Sequence, residues 1–129
     1  MLVEVAELVA VPGGPVLAQV RTAHGPAVVR WRGEPAAVPG AHHVEWTVDA
    51  PVRWGHELRY AGAAGPLVRA VGHRVVLRGR WEAEQDGIGT LRLGGALILL
   101  ECEPPVDVDG RWVELCLARE DVELCPYQI

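Results

Sequence analysis

Apolar and polar residues alternate with a period of two over most of the chain, and glycine and proline break the alternation at intervals. Half-buried strands joined by turns give this pattern. Val44, Trp46 and Val48 alternate with Glu45, Thr47 and Asp49, while Val75, Leu77 and Trp81 alternate with Arg74, Arg78, Arg80 and Glu82. Each run predicts one buried face and one wet face. Over residues 91–100 both faces are apolar, which predicts a central strand covered on both sides, bent or bulged at Gly94 and Gly95. Gly13 and Gly14, between Pro12 and Pro15, predict a turn joining a strand near 2–11 to one near 16–22. Asp86-Gly87 and Asp109-Gly110, each flanked by apolar runs, predict two further hairpins. Residues 51–71 lack alternation, and a short helix is expected at 55–60 or 66–71. These elements make the chain mainly β. The expectation is one small β domain over residues 1–129, a barrel or sandwich of about seven or eight antiparallel strands with at most one or two short helices.

The tryptophans sharpen the inside and the outside. Each of the five directly follows a charged residue: Arg30, Glu45, Arg53, Arg80 and Arg111 precede Trp31, Trp46, Trp54, Trp81 and Trp112. Neighbours on a strand point to opposite faces, so the charges are expected in water and all five indoles inside. With no phenylalanine in the chain, tryptophan supplies the aromatic bulk of the core.

From His73 to Tyr127 the sequence gives a glycine-interrupted strand over 75–84, a hairpin, a central strand and two later strands. That order resembles an oligonucleotide/oligosaccharide-binding barrel at the level of fold. The resemblance implies an OB-like C-terminal half, with the N-terminal sixty residues extending the sheet or covering one end.

Composition removes several chemistries. The 129 residues contain no Lys, Ser, Asn or Phe, and all twelve basic residues are Arg. A serine nucleophile, a Schiff-base lysine and a P-loop lysine are therefore impossible. Five histidines and Cys102, Cys116 and Cys125 show no zinc-ligand spacing, and the three cysteines are expected as reduced thiols. Asp107 and Asp109 lack the other ligands of a calcium loop. Glu82 with Glu84, and Glu101 with Glu103, have the period-two spacing of surface acids rather than a catalytic pair. No catalytic residue, metal or cofactor is expected. The apolar run over 96–100 is too short to cross a bilayer, and Glu4 and Glu7 stand where a secretory leader carries basic residues. The expected location is the cytoplasm, with no membrane partner.

Charge is uneven along the chain. The net charge of −5 divides into −1 over residues 1–65, +2 over 66–100 and −6 over 101–129. Arg74, Arg78 and Arg80 share one strand face, and with Arg30, Arg32 and Arg92 they form a candidate phosphate-binding stripe. The alternative is a solvated face whose guanidinium groups pair with acids across the sheet. Glu120, Asp121 and Glu123 belong to a candidate acidic surface for a protein partner. The leading expectation is a noncatalytic interaction module that recognises a protein through a β surface. Single-stranded nucleic-acid binding through the arginine stripe is the alternative, opposed by net charge and by the lack of outward aromatic platforms. A small ligand carrier or enzyme with a pocket at the barrel mouth is the third.

Overall fold

The computed structural model describes residues 1–10, 12–34 and 39–127. The chain is mainly β. Its strands are β1 (Leu2–Ala10), β2 (Val16–Thr22), β3 (Gly25–Trp31), β4 (Gly40–Val48), β5 (Leu58–Tyr60), β6 (Leu67–Val71), β7 (Arg74–Ala83), β8 (Ile88–Leu93), β9 (Ala96–Glu101), β10 (Trp112–Ala118) and β11 (Val122–Tyr127). Single turns of 3-10 helix at Val106–Val108 and Arg119–Asp121 complete the described elements.

Five strands close a barrel in the order β1-β2-β3-β11-β4, with β4 returning to β1. All neighbours in the ring are antiparallel except β3 and β11, which run parallel where Glu123 lies opposite Arg30 and Leu124 opposite Trp31. The remaining strands form a second sheet, inserted in the chain between β4 and β11. Its long strand β7 has β10 on one side, with β5 beyond. On the other side β7 pairs first with β6 and then with β8, and β9 lies beyond β8.

Several expectations are corrected. The described strands number eleven rather than seven or eight. Residues 51–71 hold β5 and β6 instead of a helix, because Leu58 and Val68 each find a buried site against the sheet. The apolar run 91–100 is not one central strand. Gly94, at φ +55°, lets the chain reverse between Leu93 and Ala96, which lie opposite each other, so β8 and β9 form a two-residue hairpin. β9 consequently ends the sheet, with Leu97 and Leu99 55% and 68% exposed. Residues 73–127 do not close on themselves: the barrel is made by β1–β4, and only β11 comes from that segment.

The turn residues act as their chemistry dictates. Asp86 and Gly87 both have positive φ, 59° and 74°, and the Ile88 amide donates to the Gln85 carbonyl, which makes the type I′ turn of the β7–β8 hairpin. Asp109 (φ −54°, ψ 128°) and Gly110 (φ 80°) form a type II turn instead. That turn leads from the 3-10 helix into β10 and joins no hairpin, since β9 and β10 are not neighbours.

One continuous apolar cluster runs from Val3, Val20 and Val29 of the barrel to Leu77, Trp81, Leu91 and Ile98 of the second sheet. Each fully buried aliphatic side chain of this kind contributes about 1.5–3 kcal/mol. Trp81, 1% exposed, lies so close over Gly89 that a Cβ there would overlap its ring. Trp31 and Trp46 are also buried, as expected. Trp54 and Trp112 are only half-buried. Trp54 still packs against the core cluster, so the rule of a charge before every tryptophan fails for Trp112 alone, which lies on the outer face opposite Arg80.

Candidate functional site

The second sheet turns Val75, Leu77, Trp81, Leu91 and Leu115 toward the core, so the alternate positions form its outer face. Cross-strand register places Arg59 (β5), Arg69 (β6), Arg74, Arg78 and Arg80 (β7) and Arg92 (β8) on that face. The carboxylates there are Glu82, Glu101 and Glu114. Six guanidinium groups thus share the strand positions of this face with three carboxylates, and Glu57 and Asp121 bring further negative charge to Arg74 at its margin, in a chain whose net charge is −5.

Only part of this positive charge is neutralised locally. Arg92 Nε donates to Glu82 at 2.8 Å, and Arg78 lies 3.5 Å from Glu114 while its Nε donates to the Gly65 carbonyl. Arg74 donates to Cys116 Sγ and to the Cys116 carbonyl. Arg80 donates to the Gly110 carbonyl and lies 5.1 Å from the centre of the Trp112 ring. Arg80 and Arg92 are directly opposed across β7 and β8. Opposed like charges destabilise a sheet pair by a few tenths of a kcal/mol to about 1 kcal/mol, a cost that the buried pair Trp81 and Leu91 and the Asp86-Gly87 turn impose by fixing the register.

Aromatic rings border the arginines. Trp112 pairs across β10 and β7 with Arg80. On the opposite side of the β5–β10 edge, Tyr60 is 45% exposed and meets Trp54 edge-on at 5.0 Å, with Arg111 5.4 Å above its ring. Tyr60 Oη donates to Asp107 at 2.8 Å, and that bond raises the phenol pKa above its ordinary value. A shallow hollow of about 290 Å³ between Tyr60 and Trp112 is floored by residues 61–64. This outward aromatic group was missed from sequence, although the alternation of Val113, Leu115 and Leu117 already puts Trp112 on the other face.

The other candidates lie elsewhere. Arg30, on β3, and Arg32, just after it, converge on Glu123 Oε2 at 3.7 and 3.4 Å. Thr47 Oγ1 donates to the other carboxylate oxygen at 3.4 Å. Glu123 is buried at 9% exposure, so its charge is spent within the barrel wall and is not joined to Glu120. Glu120 is exposed and Asp121 half-buried on the turn at Arg119–Asp121. The structure therefore separates the acidic trio, and it separates Arg30 and Arg32 from the arginines of the second sheet.

No group of three or more His, Cys, Asp or Glu among the described residues is placed to hold a metal ion. Cys102, Cys116 and Cys125 are free thiols, and burial pushes the Cys102 pKa up. The His42 ring meets Trp31 edge-on at 5.3 Å, and His43 lies 6.0 Å from the Tyr127 ring. No helix among the described residues is long and apolar enough to cross a membrane.

Comparison with known protein families, curated proteins and solved structures finds no match for this chain.

Proposed function

We propose that this chain is a noncatalytic binding module for single-stranded nucleic acid, with the outer face of its second sheet as the binding surface. The observation that carries the proposal is the opposed pair Arg80 and Arg92 beside the half-exposed Trp112, within a face of six arginines and three carboxylates. Guanidinium groups offer phosphates charge-assisted hydrogen bonds, and an indole offers bases a stacking surface that does not read sequence. Five strands spaced about 4.8 Å apart make a face roughly 20 Å wide, enough for the smallest single-strand sites of about four nucleotides.

Topology supports the same reading. The five-stranded ring, antiparallel except where its third and fifth strands meet, has the arrangement of an oligonucleotide/oligosaccharide-binding barrel. Such barrels bind through the face of strands two and three and through the loops after strands one and four. Here the whole second sheet is the insertion after the fourth barrel strand. We therefore read the OB-like character in β1–β4 with β11 rather than in residues 73–127, with Arg74, Arg78, Arg80 and Arg92 of the stripe on the inserted sheet and Arg30 and Arg32 on the barrel.

The protein's acidic net charge opposes nonspecific binding, but a local cationic face acts within a Debye length of about 8 Å at physiological ionic strength. The test is quenching of tryptophan fluorescence by short oligo-dT and oligo-rU at low salt. The proposal predicts saturable quenching that is weakened by Trp112→Ala and lost in Arg74→Glu/Arg80→Glu. Absence of saturable binding at low salt, or undiminished binding by the double variant, contradicts it.

A further inference from the structure

We infer that the hollow between Tyr60 and Trp112 takes one nucleobase of the bound strand, turned off the arginine face around the β5–β10 edge. The inference rests on the reading of that face as a single-strand surface. The Arg80 guanidinium lies over the Trp112 ring, 5.1 Å from its centre, so one face of the indole is already covered. Arg80 does not line the hollow, whereas Trp112 and Arg111 do. The indole face left for a base is therefore the one toward the hollow, not the one toward the arginines. On the Tyr60 side the hollow presents Arg111, whose guanidinium lies 5.4 Å over the Tyr60 ring. A base entering between them meets an indole and a planar cation, two surfaces that hold bases by stacking without reading sequence.

The floor lets a base approach the main chain closely. Gly62, Ala63 and Ala64 are exposed and carry no side chain longer than a methyl group. The Ala61 amide donates to the Trp112 carbonyl and the Gly65 carbonyl accepts from Arg78 Nε, which anchors the segment at both ends. Between these anchors, among the described residues, no backbone-to-backbone hydrogen bond uses the N–H or C=O groups of residues 62–64. The floor thus offers donors and acceptors to the polar edge of a base. The volume of about 290 Å³ is at the small end for ligand sites and suits a single base. Among the described residues neither Arg80 nor Arg111 is joined to a carboxylate by an ion pair, so both remain for the phosphates beside that base. The carboxylate nearest Tyr60, that of Asp107, is engaged by its Oη at 2.8 Å.

The inference is tested by amide NMR of the isotope-labelled protein, titrated at low salt with oligo-dT of about six nucleotides, within the range of single-strand sites. Thymidine 5′-phosphate and deoxyribose 5-phosphate, which lacks the base, are titrated beside it. Oligo-dT and thymidine 5′-phosphate are expected to shift the amides of Gly62, Ala63 and Ala64 saturably, and deoxyribose 5-phosphate to leave them in place. Ala63→Leu fills the hollow and Arg111→Ala removes its guanidinium; each is expected to weaken oligo-dT binding about tenfold, a loss of about 1.4 kcal/mol. Both side chains are exposed, and unchanged thermal melts establish that each variant is folded. Oligo-dT that binds without moving these amides, or that binds both variants as tightly as the parent, overturns the inference and leaves the arginine face as the strand's site. Equal shifts with deoxyribose 5-phosphate assign the hollow to phosphate and overturn it as well. Absence of oligo-dT binding overturns the reading of the face itself.

Discussion

At the residue scale, two side chains show how local chemistry sets stability. Gly89 is required because Trp81 occupies the space of any Cβ at that position. Gly89→Ala is expected to cost about 1–3 kcal/mol through overpacking, measured by denaturant unfolding; an unchanged midpoint would show that the ring is not fixed there. Glu57 is held by Arg53, whose Nε and Nη2 donate to its two carboxylate oxygens at 3.1 and 3.0 Å. That hydrogen bonding lowers the Glu57 pKa from 4.5 to about 2. A depressed carboxylate pKa means that the pair stabilises the folded chain above about pH 4.5, and that this contribution is lost as pH falls toward about 2. Glu57→Gln is therefore expected to melt below the parent at neutral pH, with the gap closing across that window. A gap independent of pH would contradict the assignment.

At the element scale, Glu123 ties β11 to its neighbours on both sides. Its carboxylate gathers Arg30 and Arg32 from β3 and the segment after it, and Thr47 from β4. The two arginines are 33% and 50% exposed, so water screens much of the attraction. Glu123→Ala is expected to cost about 1 kcal/mol, with the loss sharply reduced in an Arg30→Ala/Arg32→Ala background because the residues act as one unit. A full loss in both backgrounds would place the effect elsewhere. The strands near 2–11 and 16–22 and the Asp86-Gly87 hairpin were legible because alternation and turn residues are local signals. The parallel contact of β3 with β11 joins residues far apart in sequence, and no local signal announces it. Glu123 looked like surface charge for the same reason, since its partners lie on other strands. The run 91–100 misled differently: glycines that bend a strand and glycines that reverse it read alike. The outward Trp112 was legible in the phase of Val113, Leu115 and Leu117, which outweighs the charge that precedes it.

At the scale of the whole molecule, barrel and second sheet share one apolar cluster. Separate unfolding would expose Val68 and Trp46 together with the sheet's leucines, so a single cooperative transition is expected in calorimetry, with equal calorimetric and van't Hoff enthalpies. Two transitions would show that the sheet and the barrel are independent units. The outer face of the second sheet carries the arginines and Trp112 together with the exposed Leu97 and Leu99, since Leu97 lies opposite Arg92.

The central claim, that the arginine face takes the phosphates of a single strand, is tested most directly by a salt titration of oligonucleotide affinity. Each neutralised phosphate contributes about −0.7 to the slope of log affinity against log salt. Three or four contacts therefore predict a slope of about −2 to −3, made shallower by about 0.7 for each arginine removed from Arg74, Arg80 and Arg92. An affinity indifferent to salt, or a slope that these substitutions leave unchanged, would contradict the account.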